Sequence, residues 1–286
     1  MKKSALLAAP TVAVGIAMFA LPGIASAASA TSYQADLKPV ALNTPAGAAS
    51  GHLMLSLNGN QATITETVSG LAASIPTDTA TLDSLGIPAA FAGKPFPHVQ
   101  HIHINGGGGC PTAAADGNKD GLITVVEAQD DYGPIGTTLS TSGDTSPQAA
   151  ADVTIAPGGG SYTYKRTIAL DQATLTAIKA GKAEIVVHGL NPANAPKASL
   201  TTPNSLGVTL PGASKQVAAI ATAPALCGAL NVSQMSSMPS GAAATGGGST
   251  AGLQHEGLLA GGAALIAAGA VAGGFAVRRR SATSAR

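Results

Sequence analysis

Three histidines have the type and spacing to hold a metal ion. His101-Ile102-His103 places two imidazoles two residues apart. On a strand, residues two apart share a face, so both rings project the same way. Their Cα atoms are then roughly 7 Å apart by strand rise. A copper or zinc ion about 2.0–2.1 Å from each nitrogen is reachable with ordinary rotamers. His98 is out of phase with the pair. His188 ends the run Ile185-Val186-Val187-His188, far along the chain. It joins the pair only if the fold sets its strand beside theirs. The bland alternative is that these histidines bond within a sheet or face water.

A second constellation suits calcium. Asp116 to Glu127 reads DGNKDGLITVVE. Asp116, Asn118 and Asp120 offer side-chain oxygens at positions 1, 3 and 5 of a twelve-residue loop. Gly121 allows the sharp turn at position 6, and Leu122 offers its carbonyl at position 7. Ile123 packs at position 8, Thr124 stands at position 9, and Glu127 is the bidentate ligand at position 12. The flanks depart from the paired-helix pattern. Gly106 to Gly109 and Pro111 leave little room for an entering helix, and Gly133-Pro134 ends an exiting one early. The expectation is a calcium loop without a helix-pair switch. An ordinary acidic turn is the alternative.

Other chemistry is thin. There is no G-x-S-x-G elbow, and the glycines after Asn105 lack the Lys-Ser/Thr partner of a phosphate loop. No catalytic residue is assigned. Met235 and Met238 could bind copper(I) as thioethers, but they stand in a low-complexity stretch. Lys and Arg total 15 against 14 Asp and Glu, so no basic surface for nucleic acid is expected. Aromatic residues make up 3% with no Trp, which argues against base-stacking or sugar-stacking platforms.

The elements that must position these residues are mostly strands. Leu53, Leu55 and Leu57 alternate with other residues, Asn58-Gly59 marks a tight turn, and Ala62, Ile64 and Val68 resume the alternation. Further strands are expected at 99–104, 162–170 and 183–188, with weaker candidates at 217–222 and 229–232. One helix is expected, from Asp171 as its cap to Ala180, closed by Gly181. Many short strands with Gly/Pro-rich connections imply an all-β sandwich or barrel.

The two ends read as export and anchorage. Lys2 and Lys3 precede an apolar run that exits on Ala25-Ser26-Ala27, the form of a secretory signal peptide over residues 1–30. Residues 258–277 are uncharged and long enough to span a bilayer. Arg278, Arg279 and Arg280 follow, so the body is expected outside and the tail at 278–286 inside. A flexible stalk is expected over 233–257. These features place one domain, residues 31–232, on the extracellular face of the cell membrane or in the cell wall. Outside the cell, Cys110 and Cys227 read as a disulfide, with two buried thiols as the alternative.

The C-terminal trio of stalk, apolar span and Arg cluster resembles sortase-anchored proteins. Leu253 to Gly257 keeps the Leu and Gly of their LPxTG signal but lacks its Pro and Thr. The NG hairpin, the strand ending in HIH, ADGNKDGLITVVEAQ, YGPI, YKRTIAL, VVHGLN and PALCG together resemble the CHRD-domain family, in a secreted actinobacterial branch. The match runs from about His52 to Leu230. A more distant resemblance is to copper-zinc superoxide dismutase. It rests on the order His101-x-His103, Cys110, Val186-Val187-His188 and Cys227-Gly228. That resemblance implies a Greek-key β-sandwich with copper ligands His101, His103 and His188. Pro224 stands where the dismutases carry the Arg that guides superoxide, and no zinc-loop His cluster follows Cys110. Efficient dismutation is therefore not implied.

The leading expectation is a surface-anchored binding or adhesion domain with a structural calcium loop and an envelope or extracellular protein partner. The second is a copper-binding redox protein, and the third a structural envelope protein.

Overall fold

Alternating burial builds the first hairpin. Strand β2 (Ser50–Asn58) buries Leu53, Leu55 and Leu57, and β3 (Gln61–Ser69) buries Ala62, Ile64, Glu66 and Val68. The turn falls one residue later than the expected Asn58-Gly59. Asn58 pairs with Gln61, so the connection is Gly59-Asn60. Gly59 takes φ +62° and Asn60 does not take positive φ, as in a turn that needs Gly only at its first central position. The computed structural model describes residues 30–43, 49–107 and 109–233. The expected signal peptide up to residue 29, the membrane anchor, the basic tail and all of the stalk beyond Ser233 lie outside them. Among the described residues no helix is long and apolar enough to cross a membrane.

The protein is mostly β. Among the described residues nine antiparallel strands form one sheet in the order β5 (Ile135–Thr138), β4 (Gln100–Ile104), β7 (Ala183–His188), β8 (Pro224–Ala229), β1 (Thr31–Pro39), β2, β3 and β6 (Ser161–Ala169), with β9 (Asn231–Val232) also beside β1. Strand β1 (Thr31–Pro39) pairs with β2 along most of its length and with β8 (Pro224–Ala229) at Lys38 and Pro39. It thereby joins the two halves of the sheet. Gly228 permits the close approach, since a Cβ there would stand 2.5 Å from the Asp36 carbonyl oxygen.

The sheet curls so that both halves share one core. Leu53 and Ile64 from one half lie in the same cluster as Ile102 and Ile185 from the other. Side chains tie the two ends together. Arg166 of β6 (Ser161–Ala169) donates to the Ser140 and Gly143 carbonyls at 2.8 and 2.6 Å. Tyr162, also on β6, donates its hydroxyl to Gln100 Oε1 at 2.9 Å.

Strands β4 (Gln100–Ile104) and β7 (Ala183–His188) are buried at every residue. Ile102, Ile104, Ile185 and Val187 face the main core. The opposite face is covered by a second cluster of Val40, Ile123, Ala128, Tyr132, Val186 and Cys227. Much of that cover comes from the excursion between β4 and β5 (Ile135–Thr138).

The expected helix is present as α3 (Gln172–Lys179), capped by Asp171, which accepts from Thr174 N at 2.7 Å. It is not the only one. Helices α1 (Thr79–Leu85), α2 (Val125–Tyr132) and α4 (Lys197–Thr201) correct the expectation of a single helix. They have five to eight residues each, too few for a period of 3.6 to stand out. The expected strand at 217–222 is also corrected. Residues Ala219–Ala221 form a 3₁₀ turn, and only Ala218 makes a bridge, to Pro203. A short apolar run signals burial without specifying a strand.

Candidate metal centre

The strand pairing brings the three histidines together. His101 and His103 lie on the outer face of β4, opposite Val186 and Glu184 of β7. His188 ends β7 on the same face, after a bulge that sets it opposite Pro224. The ring centroids of His101 lie 5.7 Å from His103 and 5.1 Å from His188, and the third pair is 6.1 Å apart. Each residue offers a ring nitrogen, and these nitrogens lie within 4.8 Å of one another. Ligands on one ion at about 2.0–2.1 Å sit ~3.5 Å apart in a trigonal arrangement, so small inward rotations suffice.

Backbone carbonyls select which nitrogen each ring has to spare. His101 Nε2 contacts Ala150 O at 3.1 Å, His103 Nδ1 contacts Gly133 O at 2.7 Å, and His188 Nδ1 contacts Thr222 O at 2.7 Å. A carbonyl only accepts, so each of these nitrogens is the N–H donor. The other nitrogens, His101 Nδ1, His103 Nε2 and His188 Nε2, are buried without a hydrogen-bond partner. A buried polar atom without a partner is costly and calls for an explanation. Three bare lone pairs on neutral rings, each ring oriented by a carbonyl, are what a metal ion requires.

The electrostatics keep the rings neutral. Burial drives the His103 pKa down to about 3 and that of His188 to about 4. Burial, together with the nearby His188 and His103, holds His101 well below its ordinary value. The carbonyl contacts push the other way and lose. Tyr132 packs its ring 4.3 Å from that of His103.

The trio lies in an apolar cleft of about 110 Å³. Its walls include Phe96, Val125, Ile135, Val153, Leu206 and Val217, and among the described residues no Asp, Glu, Lys or Arg lines it. Among those residues the histidines and Thr222 carry its only polar side chains.

His98 stands apart, as its phase indicated. It is fully buried, with Nδ1 3.0 Å from His188 O and Nε2 3.1 Å from Ala72 O. A neutral imidazole has one N–H, so it donates to one of these two carbonyls and packs against the other.

The calcium-type loop folds around its own amides. Asp116 accepts from the amides of Asp120 at 3.2 Å and Gly121 at 3.0 Å. Asn118 Oδ1 accepts from Asp120 N at 2.8 Å, and Asp120 Oδ1 from Leu122 N at 2.9 Å. Gly121 takes φ +85°. Glu127 Oε2 turns back to the start of α2, accepting from Thr124 N and Thr124 Oγ1 at 2.9 Å each in a capping box. Among the described residues, only the His trio gathers three or more His, Cys, Asp or Glu ligand atoms within 4.8 Å of one another.

Two devices hold this excursion over the histidine face. Cys110 and Cys227 form a disulfide, with Cα atoms 5.6 Å apart and a separation of 117 in sequence. Asn43, fully buried, exchanges two hydrogen bonds with Ile123, each 2.7 Å, and donates to Pro224 O at 2.9 Å. Sequence reasoning missed Asn43 and the carbonyls of Gly133, Ala150 and Thr222. Backbone groups carry no residue-type signal. It also missed the cleft, whose walls come from segments scattered along the chain. No model of a known protein family matches this sequence, and no curated protein matches it either.

Proposed function

We propose that this is an extracellular copper-binding protein whose ion is held by His101, His103 and His188. The observation that carries the reading is the set of three buried imidazoles, each tied by one nitrogen to a carbonyl and bare at the other. Among divalent first-row metals, a nitrogen donor set without a geometric filter favours copper. Both cysteines are in the disulfide, so no thiolate competes. Zinc suits the same ligands, with an open fourth position. When bound, copper would supply one-electron redox chemistry. The chain's own residues orient the rings, keep them neutral and surround them with apolar walls.

Efficient superoxide dismutation does not fit. Superoxide is an anion, and among the described residues no cationic side chain lines the cleft. Pro224, at the position where the dismutases carry a guiding Arg, stands directly opposite His188. The reading is therefore a copper-holding or electron-transferring centre on a Greek-key β-sandwich of CHRD type. The disulfide supports export from the cell. The apolar segment at 258–277 would tether the domain to the membrane.

Metal analysis of the full-length chain tests this. After exposure to equal copper, zinc and calcium, one copper per chain is expected, with His103→Ala and His188→Gln each removing it. Absence of stoichiometric transition metal, or retention of copper by both variants, would refute the proposal.

We also propose a structural calcium ion in the loop from Asp116 to Glu127. The support is the ligand spacing, the positive φ of Gly121 and the turn that Asp116, Asn118 and Asp120 already fold. An adhesion role draws its support from the sequence resemblance alone.

A further inference from the structure

We propose that the cleft over the histidines admits to the metal a small uncharged molecule, about one ring in size, that presents a single lone-pair donor atom. This rests on the copper reading and names the class of ligand the centre takes. Among the described residues the cleft walls carry no charged side chain, and four polar side chains, His101, His103, His188 and Thr222, are all they offer. His101 Nε2, His103 Nδ1 and His188 Nδ1 are already given to carbonyls, and the Thr222 hydroxyl donates to Ala219 O at 3.4 Å. A ligand therefore finds one polar anchor, the ion, and apolar contact elsewhere.

Size and charge then select. A dry apolar cavity of about 150 Å³ holds benzene, and this cleft of about 110 Å³ is open on one side. That space is about one ring in size, with a short substituent directed toward the opening. A charged group entering beside Phe96, Val153 and Leu206 loses its hydration, and no side chain of opposite charge replaces it. Carboxylates, phosphates and small anions are disfavoured on that account. A neutral nitrogen heterocycle, phenol or thioether meets no such cost.

The test uses two probes with the same donor atom and nearly the same shape. 3-Ethylpyridine is neutral, and pyridine-3-carboxylate carries a charge where the other has an ethyl group. The copper(II)-loaded full-length chain, with its copper content measured first, is titrated with each, reading the copper visible band and its paramagnetic resonance. The neutral probe is expected to bind at least tenfold more tightly. Val153→Lys, at a half-buried wall position, should narrow that ratio while copper content is retained. A copper-loaded protein that binds the carboxylate as tightly as 3-ethylpyridine, or binds neither probe, overturns the proposal and leaves copper binding standing. So does a ratio unchanged by Val153→Lys. A chain that takes up no copper overturns both.

Discussion

His103 donates through Nδ1 to the carbonyl of Gly133 at 2.7 Å, so the residue that closes α2 decides which nitrogen of a candidate ligand faces the centre. Gly133 takes φ +80°, and a Cβ there would come within 2.2 Å of Ile104 O and 2.5 Å of Gly106 N. Gly133→Ala must therefore shift the backbone at this junction, and the expected result is a displaced carbonyl. Partners of this kind typically contribute 10–100-fold in metal affinity. Chelator competition on the folded variant should show copper bound more weakly by about that factor. Unaltered affinity would mean that His103 does not depend on Gly133 for its orientation.

The disulfide should matter to the centre as well as to stability. Cys110 lies in the excursion that carries Val125, Tyr132 and Gly133, and Cys227 pairs with Val186 on the histidine face. Closing so long a loop stabilises by about 5 kcal/mol in the chain-entropy model. Replacing both cysteines by Ser should lower the denaturation midpoint and weaken copper binding together. A variant that loses stability but keeps full affinity would show that the link braces the fold and not the site.

Calcium should raise the melting temperature through the loop from Asp116 to Glu127. Binding to the native state alone adds RT ln(1 + [Ca²⁺]/Kd), about 2.7 kcal/mol at a hundredfold excess. Glu127 caps α2 through Thr124, so ligation would require its carboxylate to turn away from that role. Gln can fill the same capping position but is a poor bidentate ligand. Glu127→Gln should thus retain the calcium-free melting temperature and lose the increment. The idea fails if chelator and calcium give the same melting curve for the unaltered chain.

Legibility divided along physical lines. Leu53, Leu55, Leu57 and Ile64 were readable because period 2 maps directly onto a half-buried face. His101 and His103 were readable as a pair for the same reason. His188 needed the β4–β7 pairing, which is long-range and leaves no local trace. Strand β1 went unread although Tyr33, Ala35 and Leu37 alternate inward, because Gln34, Asp36 and Lys38 dilute the apolar signal. Strand β8 hid within the run from Val217 to Leu230, where burial is nearly continuous and no alternation marks the turn into the sheet.

Glu66 should make stability fall as pH rises. Its carboxyl is fully buried on the inner face of β3, and neither oxygen has a hydrogen-bond partner. One N–H of the Gln100 amide is given to Leu139 O, and the other points close enough to the carboxyl to lower its pKa somewhat. Burial dominates and raises the pKa from 4.5 to about 8. The folded protein then keeps a proton that the unfolded chain releases above pH 4.5. Stability from this group is complete below that value and is lost as pH rises toward 8, by on the order of a few kcal/mol. The histidine trio acts in the opposite sense. Its lowered pKa values make the unfolded state bind more protons below about 6.5, so its contribution grows with pH over the acid part of the range. The two slopes overlap, and only a variant separates them. Glu66→Gln carries no titrating proton and nearly the same volume. Urea midpoints at pH 5 and pH 8, on metal-free protein, should show the variant gaining stability relative to the unaltered chain as pH rises. Parallel pH profiles for the two proteins would mean that Glu66 finds in solution the partner, or the water, that its carboxylate needs.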